Sequence, residues 1–180
     1  MMIRLSMPAK IETERLLLHR LKYEDAEEIF YAYASKPEAT KYLSWATHQS
    51  VDDTRTFLKY AIENWNYGND YSYSIRLKNL LLIGSIGILH DDGKIQLGYV
   101  ISPTYWSKGY TTEACTRILS VLKTFKDLYR IGTFVDAENV ASIKVLRKCG
   151  LVEEARLEKW FRFVNQNNQP KDCILFRLLL

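Results

Sequence analysis

The chain has 180 residues, of which 47% are hydrophobic and 26% charged; this balance argues against disorder and is enough for one domain with a substantial core. Its net charge of +4 is spread through mixed stretches such as Lys22-Tyr23-Glu24-Asp25, which favours anionic ligands but lacks the dense basic stripe of a nucleic-acid binder. No segment approaches the ~20 apolar residues of a membrane span, and Met1 to Leu5 lacks the apolar stretch of a signal peptide, so the expected location is the cytoplasm. Cys115, Cys149 and Cys173 lie far apart with no CxxC pair and no neighbouring His, so we expect reduced thiols and no metal site.

In chain order, Leu16 to Leu21 reads as a strand and Glu24 to Ala34 as a helix, with Ile29 and Tyr33 on one side. Ser50 and Asp53 form a short-acid capping box ahead of a second helix, whose Phe57, Leu58, Ala61, Ile62 and Trp65 recur at helical spacing until Gly68. Tyr71 to Leu77 alternates apolar and polar residues as a half-buried strand does. Lys78-Asn79 then turns into a strand over Leu80 to Leu89, and Asp91-Asp92-Gly93 is a hairpin signal leading into Ile95 to Ile101. Those three strands are expected to form an antiparallel meander, with Gly84 and Gly87 marking a bulge or a close backbone approach.

After Pro103 a long helix carries Ala114, Ile118, Val121, Leu122 and Phe125 as its buried stripe. Ile131 to Val135 reads as a strand, and Asn139 caps a helix that runs to Cys149 and closes at Gly150. Two strands, Ala155 to Val164 and Cys173 to Leu179, finish the chain around the polar loop Asn165 to Lys171. No repeat or linker interrupts this order, so residues 1–180 are expected to form a single domain. The fold class is α+β: a mixed, largely antiparallel sheet flanked by helices.

The stretch Leu97 to Ala114 is the one that carries chemistry. A strand enters a tight loop, Trp106-Ser107-Lys108-Gly109, and the long helix starts at Tyr110-Thr111. A helix start presents unpaired N–H groups and a positive dipole end, both suited to a phosphate, and Gly109 lets the backbone approach an anion without a Cβ in the way. Lys108 adds charge. Neither a Walker loop nor a GxGxxG occurs, and a lone Gly at a helix start also reads as an ordinary turn.

From about Glu12 onward the chain resembles the GNAT superfamily of N-acetyltransferases, particularly the branch that includes the ribosomal-protein N-terminal acetyltransferases. The superfamily's pyrophosphate motif, Gln/Arg-x-x-Gly-x-Gly/Ala, falls on Trp106 to Thr111: Gly109 fits, whereas Trp106 and Thr111 depart from it. The later motif, Asn-x-x-Ala/Ser followed by a helix and Gly-Phe, is similar to Asn139-Val140-Ala141-Ser142 through Gly150-Leu151. Leu97-Gly98-Tyr99 and Glu12-Thr13-Glu14-Arg15-Leu16 look like the same branch.

The resemblance implies acetyl-CoA as co-substrate, with direct transfer of its acetyl group to a primary amine. The backbone of Tyr99, Val100 and Ile101 would pair with the pantetheine amides, while Trp106 opens a loop whose amides, from Ser107, Lys108, Gly109, Tyr110 and Thr111, hold the pyrophosphate. Asn139 would bond the pantetheine arm near the thioester as well as capping its helix. The Tyr that many relatives place seven residues after this Asn is here Leu146, so Ser142, on the helical face of Asn139, is assigned to the leaving sulfur; it also reads as a first-turn Ser satisfying backbone groups.

Several relatives carry a Glu where this chain has Gln96, and His90 is a possible replacement base, although a loop His also reads as merely solvated. A site without a strong base suits weakly basic amines, above all a protein N-terminus. The acceptor surface is expected between Glu24 to Gly68 and the final hairpin, with Trp45, Trp65, Trp160 and Phe161 either lining a groove or packing the core. A polyamine, an antibiotic amine, a catalytically idle acyl-CoA module and an RNA-associated protein are the competing readings. The chain is expected to be a monomer or a homodimer, with Cys173 to Leu180 available to pair across subunits.

Overall fold

The computed structural model describes residues 3–179; Met1, Met2 and Leu180 lie outside the described residues. Eight strands form one sheet in the order β1-β2-β3-β4-β5-β6-β8-β7: β1 (Lys10–Glu12), β2 (Leu16–Arg20), β3 (Tyr73–Leu77), β4 (Leu82–Asp91), β5 (Lys94–Ile101), β6 (Arg130–Asp136), β7 (Val152–Arg162) and β8 (Pro170–Leu178). Every neighbouring pair is antiparallel except β5 and β6. The sequence expectation of a mixed, largely antiparallel sheet is borne out.

Local signals set most boundaries. In the β4–β5 hairpin Asp91 pairs with Lys94, and the two turn residues Asp92 (φ 42°) and Gly93 (φ 93°) are both left-handed, the geometry that matches strand twist. Helix α3 (Val51–Tyr67) starts on the Ser50 box, where Ser50 Oγ accepts from the Asp53 N–H at 3.3 Å and the Asp53 carboxylate accepts from the Ser50 N–H at 3.0 Å. The helix ends on Gly68 at φ 88°. The expected irregularity at Gly84 is present: the β3–β4 register shifts beside it, and a Cβ there would lie 2.3 Å from the Val100 carbonyl.

Four expectations need correction. The Glu24–Ala34 helix is broken into a 3₁₀ turn (Tyr23–Asp25), a short α1 (Ala26–Ile29) and a π-helical turn (Phe30–Ala34), because both the Ser35 N–H and its hydroxyl reach back to the Phe30 carbonyl. The second meander strand starts at Leu82 rather than Leu80, since Leu80 turns left-handed at φ 72° and stays exposed. The polar face of β3 is covered rather than solvated: Arg76 pairs with Asp25 at 2.8 Å and Glu28 at 2.7 Å, pinning the α1 segment over it. The last strand, β8, is inserted between β6 and β7, so it is not an edge available to a second subunit; β7 is the edge.

Two apolar clusters sandwich the sheet. The larger joins α4 (Tyr110–Leu122) and α5 (Val140–Lys148) to Ile95, Leu97, Ile131 and Phe176. The smaller joins α1 and α3 to Leu21 and Leu82, through Ile29, Tyr33 and Leu58. At the end of β5 the faces alternate, with Tyr99 packing on the larger cluster and Val100 on the smaller.

Candidate active site

The site begins where the sheet forks. β5 pairs with β6 only through Lys94, Ile95 and Gln96; beyond that β5 runs on along β4 to Ile101, while β6 runs on along β8 to Asp136. Thr133 sits in the fork and donates its hydroxyl to the Leu97 carbonyl at 2.7 Å. On its other side β5 is laddered to β4, with the Ser102 N–H on the Ile83 carbonyl at 2.8 Å. Antiparallel alternation from that bond turns the backbone N–H and C=O of Leu97, Tyr99 and Ile101 toward the fork. The Ile101 carbonyl accepts from the Trp106 indole at 2.8 Å. Tyr99 therefore presents a donor and an acceptor to the opening, as an added extended chain requires.

A cleft of about 720 Å³ runs through this fork. On the α4–α5 side its walls are Tyr99, Ile101, Trp106, Ser107, Gly109, Tyr110, Thr111, Asn139 and Ser142, so nearly every residue expected at the coenzyme site lines the cleft, with Val100 lining it from the other face of the sheet. Lys108 is the exception. Its ammonium lies 4.9 Å over the Tyr105 ring and does not line the cleft, leaving its backbone as the group available to the loop.

The loop geometry is that of an anion cradle. Ser107 (φ 60°) and Gly109 (φ 80°) are both left-handed within three residues, and α4 starts immediately after them. The first bond of the helix runs from the Glu113 N–H to the Gly109 carbonyl at 3.0 Å, so the amides of Tyr110, Thr111 and Thr112 precede it and face the opening of the loop. A Cβ on Gly109 would lie 3.5 Å from Arg15 Nη2, in a conformation that L-residues rarely adopt. Trp106, at the motif position usually held by Gln or Arg, secures the loop to the strand end through its indole bond instead. These residues fit a coenzyme diphosphate.

Asn139 caps α5, its side-chain carbonyl accepting from the Ser142 N–H at 3.2 Å. Ser142 Oγ lies 2.8 Å from the Tyr99 hydroxyl, joining β5 to α5 across the cleft. Burial pushes the Tyr99 phenol well above its ordinary range, so it stays protonated; it also reaches the Ser142 carbonyl at 3.3 Å, and between the two hydroxyls either oxygen can be the donor. Leu146 is fully buried in the core.

On the opposite face the fork opens toward Gln96, Gly98, Phe134, Phe163 and the segment around α2 (Pro37–Thr40), with Glu38, Tyr42 and Ser44 along the rim. The tryptophans expected here are elsewhere. Trp65 is a core residue set edge-on to Tyr71 and Tyr73, Trp45 packs beside His48, and Trp160 is exposed outside the cleft. Phe161 stacks between Phe134 and Phe163 without lining the cleft itself. His90 is no base either: it is buried at the hairpin, holding the Gly68 carbonyl through Nδ1 at 2.9 Å and accepting from the Gly93 N–H at Nε2.

The acceptor side also depends on Asn165, which the sequence shows only as loop. Its carboxamide donates to the Thr40 and Trp45 carbonyls, both at 2.8 Å, and accepts from the Thr47 N–H at 3.0 Å. That bond set clamps the β7–β8 loop to the α2 segment across more than a hundred residues of chain. No local pattern marks it.

The sequence profile described as Acetyltransferase (GNAT) domain matches residues 15–152. The chain belongs to the GNAT acetyltransferase family. The acetyltransferase is 27% identical over 173 residues to an uncharacterized N-acetyltransferase, YoaA, of Bacillus subtilis, covering 94% of this chain and 96% of that one. Its fold superposes on the microcin C7 self-immunity acetyltransferase MccE, solved with acetyl-CoA and AMP, with a TM-score of 0.87 at 17% identity over 97% and 98% of the two chains. It superposes equally on RimL, a ribosomal L7/L12 alpha-N-protein acetyltransferase, with a TM-score of 0.85 at 16% identity over 95% and 94%. At those identities the likeness establishes the fold. The enzyme is an acetyl-CoA-dependent N-acetyltransferase. Among the described residues, no helix is long and apolar enough to cross a membrane.

Proposed function

We propose that the acetyltransferase acts on a weakly basic primary amine, most directly the α-amine of a protein or peptide N-terminus. One observation carries the reading: among the described residues lining the cleft the only carboxylate is Glu38, at the rim, and there is no His. Gln96, at the position from which several relatives present a Glu, faces the acceptor side and cannot take a proton. An α-amine with pKa near ~8 costs under about 1 kcal/mol to deprotonate at pH 7.5, whereas a lysine amine near ~10.4 costs about 4 kcal/mol. A cleft that supplies no buried base favours the first.

Acetyl-CoA supplies the acetyl group as a thioester. In this reading the α4 amides and the Tyr99 backbone hold the coenzyme on one face of the sheet, the amine enters between Glu38, Tyr42 and Phe163 on the other, and the fork is where they meet. When the Tyr99 phenol is the donor to Ser142 Oγ, the Ser142 proton is free to point at the sulfur and stabilise charge as it leaves. Asn139 holds the first turn of α5 in place so that this proton is aimed. The Tyr99–Ser142 contact favours an active enzyme over an idle acyl-CoA module, which would keep the cradle alone.

The test is coenzyme thiol release at pH 7.5 with peptides bearing a free N-terminus, with the same peptides N-blocked and carrying an internal lysine, and with spermidine. We expect the free N-termini to give the highest kcat/KM. Faster acetylation of lysine side chains or of spermidine would overturn the proposal, and thiol release no faster than in the absence of any amine would favour the idle module.

A further inference from the structure

The turn between β1 and β2 reaches the coenzyme loop from the far end of the sheet, and it does so through Arg15. Arg15 Nε donates to Glu113 Oε2 at 2.6 Å, and its Nη1 donates to the Lys108 carbonyl at 3.1 Å. The guanidinium lies 4.6 Å over the Tyr110 ring. The remaining nitrogen, Nη2, has no protein partner among the described residues, and it is the nearest atom to a Cβ built on Gly109, at 3.5 Å. One guanidinium nitrogen is fixed to Glu113 on α4 and one to the Lys108 carbonyl on the loop, and the third lies beside Gly109, behind the residues that line the cleft.

Glu113 explains why an Arg is required. It sits in the first turn of α4, where its carboxylate accepts from the Thr13 hydroxyl at 2.6 Å and the Arg15 N–H at 2.9 Å. There it ties the β1–β2 turn to the helix, but it also places a negative charge beside amides that would hold a dianionic diphosphate. Left alone, that carboxylate would repel the ligand. The Arg15 charge cancels it, and the planar fork leaves a donor over.

We propose that Arg15 is a positioning and charge-balancing residue for the coenzyme diphosphate: it fixes the Trp106–Gly109 loop, neutralises Glu113, and offers Nη2 to a phosphate oxygen. This rests on the reading that the start of α4 holds the diphosphate. Lys cannot replace it fully, because an ammonium lacks the fork that engages Glu113, the Lys108 carbonyl and the phosphate together.

The experiment is calorimetric binding of acetyl-CoA at 50 and 300 mM NaCl to the wild type, R15K, R15Q, E113Q and R15Q/E113Q, with melting curves taken without ligand. R15Q should weaken binding roughly 10- to 30-fold and flatten its salt dependence, with R15K losing about 3- to 10-fold. Removing the stranded carboxylate should then recover affinity, so R15Q/E113Q should bind several-fold more tightly than R15Q. A role confined to folding predicts no such recovery, since a Gln at 113 keeps an oxygen that can accept from the Thr13 hydroxyl and the residue-15 N–H but restores no lost ion pair. R15Q binding within twofold of wild type, or a double variant no tighter than R15Q, overturns the proposal; if R15Q melts below the assay temperature, R15K binding within twofold of wild type does so. Gly109→Glu serves as the separate control. If that variant binds acetyl-CoA normally, the placement of the diphosphate is wrong and not the role of Arg15 alone.

Discussion

Replacing Ser142 by Ala deletes the one side-chain hydroxyl that both lines the cleft on α5 and is held by a partner on β5. If Ser142 donates to the departing sulfur, the variant loses a hydrogen bond to developing negative charge, a contact of about 1.5–3 kcal/mol. That corresponds to a fall in kcat of roughly 10- to 150-fold. Acetyl-CoA binding should change little, because the α4 amides and the Tyr99 backbone remain in place. Tyr99→Phe keeps Ser142 but removes the donor that orients its proton, so a smaller fall, about 5- to 10-fold, is expected. Once Ser142 is Ala the Tyr99 hydroxyl has nothing to orient, so adding Tyr99→Phe should leave kcat at that of Ser142→Ala alone. The assay is thiol release under saturating coenzyme and peptide, with coenzyme affinity measured separately by calorimetry. A Ser142→Ala enzyme whose kcat stays within twofold of wild type, or two losses that multiply, would refute the relay.

Gly109→Glu should abolish measurable acetyl-CoA uptake in calorimetry, since it forces a side chain into a left-handed position and puts a carboxylate beside the anion cradle. Asn139→Ala removes the cap on α5 and should cost about 1 kcal/mol, a fall of roughly 2–4 °C in Tm by thermal scanning, together with a loss of kcat through the misplaced Ser142. The third expectation concerns pH. Burial alone would raise the Glu113 carboxyl, but the Thr13 hydroxyl, the Arg15 N–H and the Arg15 side chain outweigh it and hold the group below its ordinary 4.5. A lowered folded-state value gives stability that is present above 4.5 and lost as pH falls through the folded value. Urea unfolding below pH 5 should therefore show a steeper loss for wild type than for E113Q, and parallel curves would contradict the role given to Glu113.

What the sequence determines by itself is whatever a few adjacent residues decide. Ser50 with Asp53, the pair Asp92-Gly93 and Asn139 with Ser142 each satisfy backbone groups within four residues, so their cap and turn geometry is legible without the rest of the chain. The helix start after Gly109 is a short-range event too and legible as a turn, whereas the left-handed Ser107 has no mark in the residue type and the loop's anion role is read through the family resemblance. The patterns of the two long helices are local too, and most of their buried residues could be assigned from spacing.

Tertiary structure decides what depends on partners far along the chain. The early helix bends through a π turn under strands that no periodicity places above it, and β3 is covered on its polar face because Arg76 finds Asp25 and Glu28 some fifty residues away. The order β6-β8-β7 turns the last strand from an exposed edge into an interior one. Above all, the parting of β5 from β6 after Gln96, which opens the cleft, follows from how two strands with different neighbours diverge. Hydrogen bonds between residues a hundred positions apart, such as those of Asn165 and Arg15, leave no trace in local sequence, since either side chain would look equally at home in a solvated loop.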